Sequence, residues 1–232
     1  MTTLLLDFFG TLVEYSPSRT EQGFRRSHAL LGRFGVTLSY EQFLLAWART
    51  FASFDERSEV DDREFSMVDV ASAFLDAVLD REVLPAEVEL LIAAYLREWN
   101  GGVHYPAGVV DLVRRLAGDH RLAVVTNTHH ASLVPEHLAA MGLAGCFDTV
   151  ITSVEVGWRK PHPAIYERAL STLGIGAADA VFVGDSYQPD YLGPQAAGIR
   201  ALLIDPEHLA PVPDGGRLFS ILDLPERLLT LR

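Results

Sequence analysis

Lysine is almost missing from this chain: Lys160 is the only one, and arginine carries the rest of the side-chain positive charge. An ammonium is a compact, strongly hydrated point charge, whereas a guanidinium is a planar fork, so a lone lysine among arginines singles out its own position. Cysteine is equally scarce. Cys146 stands alone, which excludes an internal disulfide, fits a reducing compartment and makes it a small core residue rather than a nucleophile. Basic charge as a whole is outweighed, and a formal net charge of −12 argues against nucleic acid or an acidic membrane as partner, because phosphate surfaces are bound by clustered Lys and Arg. No apolar run reaches the roughly eighteen residues of a membrane span, and no basic leader opens the chain, so a soluble, cytoplasmic protein is expected.

What is present is ample material for a core. The 232 residues are 49% hydrophobic, enough for one large domain or a domain carrying a sizeable insertion. The apolar run Leu4-Leu5-Leu6 stops on Asp7; it suits a buried strand and is too short for an ordinary helix. In an open parallel sheet the ligand crevice lies outside the carboxyl ends of the strands, which puts Asp7 in position for chemistry, with Gly10 allowing the turn behind it.

A helical block follows. Ser18 to Phe34 reads as a helix opened by the capping box Ser18-Arg19-Thr20-Glu21 and closed at Gly35. Ser39-Tyr40-Glu41-Gln42 opens a second, with Phe43, Leu44, Trp47 and Phe51 on one face. Asp55 to Glu64 is a charge run expected as a solvated loop. Ser66 caps a third helix, with Val68, Ala71, Phe74 and Val78 in phase, and Pro85 begins a fourth carrying Val88, Leu91, Tyr95 and Trp99. Beyond Gly101-Gly102 and Pro106 the pattern alternates. Strands at Leu122–Val125, Val150–Ile151, Val181–Val183 and Ala201–Ile204 are separated by helices at Ser132–Met141, Ala164–Leu173 and Asp190–Ala197, after a first helix at Val109–Leu116. Such alternation implies a parallel sheet with right-handed crossovers. The expected organisation is an α/β core of residues 1–13 and 103–232, a Rossmann-like doubly wound sheet, interrupted by a helical block of 14–102.

The polar residues gather after the strands. Thr126-Asn127 follows one, Gly184-Asp185-Ser186 through Asp190 another, and Lys160-Pro161 lies in the turn-rich loop between them. Asp7-Phe8-Phe9-Gly10-Thr11-Leu12 resembles the first motif of the haloacid dehalogenase superfamily, and Thr126, Lys160-Pro161 and Gly184-Asp185 to Asp190 are similar in order and spacing to its second, third and fourth. The helical insertion resembles that family's cap. The resemblance implies a hydrolase in which Asp7 is the covalent nucleophile. Thr11, Thr126 and Lys160 would hold the transferred group, Thr126, Asn127 and Lys160 would contact a small-molecule substrate, and Mg²⁺ would be held by Asp7, the Phe9 backbone carbonyl, Asp185 and Asp190. Elementary electrostatics agrees: three converging carboxylates raise one another's pKa unless a cation is supplied, and oxygen-only ligands suit Mg²⁺.

One position departs from the family's phosphatases, which carry an acid-base aspartate where this chain has Phe9. The dehalogenases proper place an aromatic residue there, and a halide leaves without a proton. They usually lack the aspartate that this chain retains as Asp185, so a Mg²⁺-dependent phosphatase acting on a small phosphorylated metabolite is the first expectation. A 2-haloacid dehalogenase and a non-catalytic binding protein on the same fold are the alternatives. In a capped fold the insertion supplies specificity residues, and Arg25, Arg26, Arg57 and Arg63 are candidates among its basic groups, each of which also reads as a solvated surface charge.

Overall fold

A computed structural model describes residues 2–16, 18 and 22–231. In chain order the elements are β1 (Thr3–Leu6), β2 (Glu14–Tyr15), α1 (Arg25–Arg33), α2 (Tyr40–Asp61), α3 (Met67–Val78), α4 (Pro85–Trp99), β3 (Val103–His104), α5 (Val109–Asp119) and β4 (Arg121–Thr126). There follow α6 (Leu133–Ala140), β5 (Thr149–Thr152), α7 (Ser153–Val156), α8 (Pro163–Leu173), β6 (Ala180–Gly184), α9 (Gly193–Ala196), β7 (Arg200–Ile204), β8 (Arg217–Leu218) and α10 (Leu224–Thr230). The chain divides into two compact units, Met1–Glu14 with His104–Arg232, and Tyr15–Val103.

The first unit is α/β. Its sheet has the order β5-β4-β1-β6-β7-β8, and all its pairings are parallel. From β1 the chain builds outward through β4 and β5 on one side, then returns to build β6, β7 and β8 on the other. The reversal falls at β1, where a doubly wound sheet opens its crevice. Leu4, Leu5 and Leu6 are fully buried. Because side chains alternate across a strand, Leu5 joins Ala123, Val125 and Phe182 in one layer, while Leu4 and Leu6 face the other side. A strand covered on both faces must read as an unbroken apolar run, and each such leucine contributes about 1.5 to 3 kcal/mol by leaving water.

The second unit is helical and is built on aromatic packing. Trp47 is fully buried, with ring centroids 5.3 Å from Phe51, 5.1 Å from Phe74 and 4.9 Å from Tyr95. The capping boxes at Ser39 and Ser66 both form. Leu84 precedes α4, whose first residue is Pro85. Other expectations need correcting. The first helix begins at Arg25 rather than Ser18, and the box residues Arg19, Thr20 and Glu21 lie outside the described residues. With no side-chain cap from Phe24, α1 takes its cap from α4: Glu98 accepts from Arg26 N (2.8 Å), Ser27 N (2.9 Å) and Ser27 Oγ (2.7 Å), a carboxylate at the positive end of the helix.

The charge run is not a loop up to Asp61. α2 continues through it and ends at Asp62 in a left-handed conformation, because Phe51 and Ser58 are buried on its inner face while the acids point outward. Val68 is 55% exposed, and Val70, Ala71, Phe74 and Leu75 make the buried face of α3 instead. In the α/β unit, the helix expected over Asp190–Ala197 is a π-helical turn, Tyr187–Leu192, leading into α9. The short strand β8 and α10 were not foreseen, and Cys146 is half-buried rather than a core residue. No helix among the described residues is long and apolar enough to cross a membrane.

Candidate active site

The carboxyl ends of β1, β4 and β6 bring the foreseen polar residues together. Leu6 is in register with Val124 and Val183, so Asp7 extends β1 to the level at which its neighbours end. Its backbone N–H donates to Val183 O at 2.9 Å. Asp7 is buried, as are Thr11, Thr126, Lys160 and Asp190. The lone lysine stands at the centre. Lys160 Nζ donates to Asp7 Oδ1 at 2.7 Å and to Asp190 Oδ1 at 2.6 Å, and lies 5.2 Å from the Phe182 ring centroid.

Asp7, Asp185 and Asp190 each offer a carboxylate oxygen within 4.8 Å of the others. Two glycines permit this crowding. A Cβ on Gly10 would lie 2.4 Å from Asp185 Oδ2, and one on Gly184 would lie 2.4 Å from Asp190 Cγ; Gly10 also has φ +87°, which a side chain would strain. Thr11 Oγ1 donates to Asp185 Oδ1 at 3.3 Å, and Ser186 N donates to Asp190 Oδ2 at 2.9 Å.

One ammonium cannot neutralise three carboxylates. Burial, then the charges of Asp7 and Asp190, push the Asp185 carboxyl up to about 7. Asp190 is pushed up to about 6 by burial, against the pull of Lys160. Burial alone would lower Lys160, but the two carboxylates it touches outweigh that and raise it, so it stays charged. The cluster is short of positive charge, and Asp185 is the member least provided for.

Asn127 is placed differently from expectation. Its Oδ1 accepts from Lys160 N at 2.8 Å and its Nδ2 donates to Lys160 O at 3.0 Å, so both ends of the amide grip the backbone that presents the lysine rather than face a substrate. The neighbouring loop is tied as well: Ser153 Oγ accepts from Thr128 N at 2.9 Å. Phe9 lies edge-on to Phe8, with centroids 5.0 Å apart, and to His137 at 6.3 Å. Tyr105 OH lies 2.9 Å from His137 Nδ1. These aromatic neighbours carried no motif, and the one sequence signal for them is the pairing of Phe8 with Phe9.

Comparison with known proteins agrees with this geometry. A family model described as haloacid dehalogenase-like hydrolase matches residues 1–198. The human protein called haloacid dehalogenase-like hydrolase domain-containing protein 3 is 30% identical over 204 residues, covering 86% of this chain and 73% of the relative. A phosphoserine phosphatase of Thermus thermophilus is 33% identical over 145 residues, 61% of this chain and 58% of that enzyme. In fold, the 2-haloacid dehalogenase of Pseudomonas syringae pv. Tomato DC3000 superposes with a TM-score of 0.77 at 23% identity, over 100% of both chains. A match over most of the length, together with buried acids and a lysine at the strand tips, establishes that the chain belongs to the haloacid dehalogenase-like hydrolases.

Proposed function

We propose that this hydrolase is a phosphatase that acts on a small phosphorylated metabolite through an aspartyl-phosphate formed on Asp7. The observation that carries the reading is the surplus of carboxylate at the strand tips, two acids buried and the half-buried Asp185 pushed up to about 7. Such a cost is unexplained by folding alone and marks a functional site. The donors are all oxygen, closely spaced and under-neutralised, which fits Mg²⁺. Asp7, Asp185, Asp190 and the Phe9 carbonyl would hold the ion; bound there, it supplies charge neutralisation and polarises a phosphoryl oxygen.

The chain's own residues do the rest. Lys160, fixed through Asn127, orients the Asp7 carboxylate by donating to Oδ1. A carboxylate oxygen of Asp7 attacks phosphorus, the bond to the leaving group breaks, and the ammonium with the Thr11 and Thr126 hydroxyls takes up charge on the phosphoryl oxygens. Water then cleaves the P–O bond of the acyl phosphate and returns Asp7. Phe9 supplies no proton to the leaving group. A positioned acid contributes roughly 10² to 10⁴-fold, about 3 to 5 kcal/mol of barrier. Substrates whose leaving groups depart as stable anions, acyl and aryl phosphates, therefore suffer least.

Phe9 also favours a second reading, 2-haloacid dehalogenation by attack of Asp7 on carbon. A panel of alkyl, aryl and acyl phosphates and 2-haloacids, assayed with and without Mg²⁺, separates the two. Metal-dependent phosphate release with aryl or acyl esters ahead of alkyl ones is expected. Halide release without phosphate release would replace the phosphatase reading by the dehalogenase one.

A further inference from the structure

The helical unit carries two charged features of opposite sign, an arginine set without ion pairs among the described residues and an acidic set of which only Asp61 is paired. The first is a groove of about 390 Å³ between α1 and α4. Its floor is apolar and shallow, made by Ala29, Ala93 and Ala94 with Leu90 49% exposed. Its rims carry Arg26, Arg33 and Arg97. Arg26 and Arg33 stand two turns apart on one face of α1, about 10 Å at 1.5 Å per residue, and Arg97 looks across from α4. No side chain of the three makes an ion pair among the described residues, and no carboxylate lines the groove. The two helices are locked together by Glu98, whose carboxylate is used up on the α1 backbone and Ser27, so the groove is a fixed shape.

The second is the end of α2. Glu56, Glu59 and Asp61 are exposed there around Val60, which is 85% exposed. The last turn contains no basic residue, so Glu59 and Asp61 sit at the negative end of the helix, where carboxylates are disfavoured. The arginines of the same stretch are engaged locally. Arg57 lies 4.1 Å from the Phe54 ring centroid and donates to Ser53 O at 2.9 Å, and Arg63 pairs with Asp61 at 3.5 Å. An acidic ridge with an apolar tip thus matches an arginine-rimmed groove with an apolar floor.

We propose that the two features are halves of one two-fold interface between copies of this chain, each copy seating the acidic end of its α2 in the α1–α4 groove of the other. A two-fold interface is self-complementary, so both contacts form twice over and neither feature is left uncompensated. In a chain of net charge −12, general repulsion opposes self-association, which leaves local complementarity to set the geometry.

The test is sedimentation velocity on the full chain across the micromolar range, at low and at near-molar salt, with circular dichroism to verify folding. The wild type is expected as a dimer at low salt, with association at least about tenfold weaker at high salt. Arg26→Glu/Arg33→Glu/Arg97→Glu and Glu56→Arg/Glu59→Arg should each be monomeric alone. Mixed in equal amounts they should recover a heterodimer, because each reversed surface meets a reversed partner. A wild type that stays monomeric at low salt overturns the proposal, as does a dimer indifferent to the groove reversal or a mixture that fails to associate. A monomeric wild type that binds polyglutamate or anionic vesicles through the three arginines would assign the groove to another occupant and overturn it too.

Discussion

The two units treat a carboxylate drawn away from water in opposite ways. In the helical unit Glu87 meets its cation one to one: Arg81 Nη2 donates to Oε1 at 2.6 Å and Nη1 to Oε2 at 2.9 Å, while Leu84 N donates at 3.1 Å. Those hydrogen bonds, from Arg81 first, hold the Glu87 carboxyl down at about 2. In the α/β unit Asp185 shares one lysine with two other acids and is driven the other way, to about 7. Burial acts upward on both acids; at Asp185 it is the leading cause and prevails, whereas at Glu87 the hydrogen bonds from Arg81 and Leu84 outweigh it, so the supply of donors and cations decides which way the group goes. A matched pair belongs to the fold's own stability. A mismatched cluster is a strained feature of the kind that marks functional sites.

The largest test of that contrast is Asp7→Asn. The amide is nearly isosteric, so the unit should remain folded, but it is no nucleophile and turnover should fall below detection. Activity of the purified variant comparable with wild type would remove Asp7 from the chemistry and leave the crowded acids without a catalytic purpose. Phe9→Asp comes next. It adds a fourth acid at the position where the family's phosphatases have one, and should raise kcat/KM for alkyl phosphates by a sizeable part of roughly 10² to 10⁴-fold. Aryl phosphates should gain far less, since a phenolate leaves without a proton. An unchanged alkyl-to-aryl ratio in a folded variant would mean that Phe9 does not border the leaving group.

Much of this site was legible because its logic is local. Leu4 to Asp7 spells a strand and its tip, and the scarcity of lysine singles out Lys160 before any contact is known. The capping boxes at Ser39 and Ser66 involve residues three apart and form as written. What was not legible depends on partners distant in sequence. Asn127 looks like a substrate ligand until its amide is found on the Lys160 backbone. Glu98 caps a helix that begins more than seventy residues earlier. The charge run after Asp55 has no apolar periodicity of its own, yet α2 carries it because Phe51 and Ser58 anchor the opposite face. The π-helical turn that aims Asp190 is held by Tyr166 OH donating to Pro189 O at 2.5 Å, a tertiary contact that no local pattern announces.

Asp185→Asn sharpens the comparison through pH. The folded value of Asp185, about 7, lies above its ordinary value of 3.8. Its contribution to stability is therefore fully present below 3.8 and is lost as pH rises through about 7. Metal-free wild type should melt progressively lower as pH is raised from 5 to 8, at roughly 2 to 4 °C per kcal/mol for a domain of this size. The asparagine variant should keep only the shallower part of that slope that Asp190, itself raised to about 6, supplies, and should bind Mg²⁺ more weakly by calorimetry. A slope undiminished by the substitution would place the titrating group elsewhere.

Glu87→Gln probes the matched half and should have the smallest effect of the four. A glutamine keeps one acceptor oxygen for Leu84 N or Arg81 and loses the charge. The Arg81 side chain is 42% exposed, so water screens much of what the ion pair supplies. The sign is nevertheless fixed. The folded value of Glu87, about 2, lies below its ordinary 4.5, so its stabilisation is present above 4.5 and lost as pH falls through about 2. Wild type should melt above the glutamine variant at pH 7, and the gap should close as the solution is made acidic, while the Asp185 effect runs the other way and develops as pH rises from about 3.8 to about 7. Melting curves of both variants against wild type across the whole range make the comparison direct. A gap for Glu87→Gln that is absent at pH 7, or that widens on acidification, would show that Arg81 does not hold this carboxylate down, and the contrast between matched and mismatched charge would lose its reference.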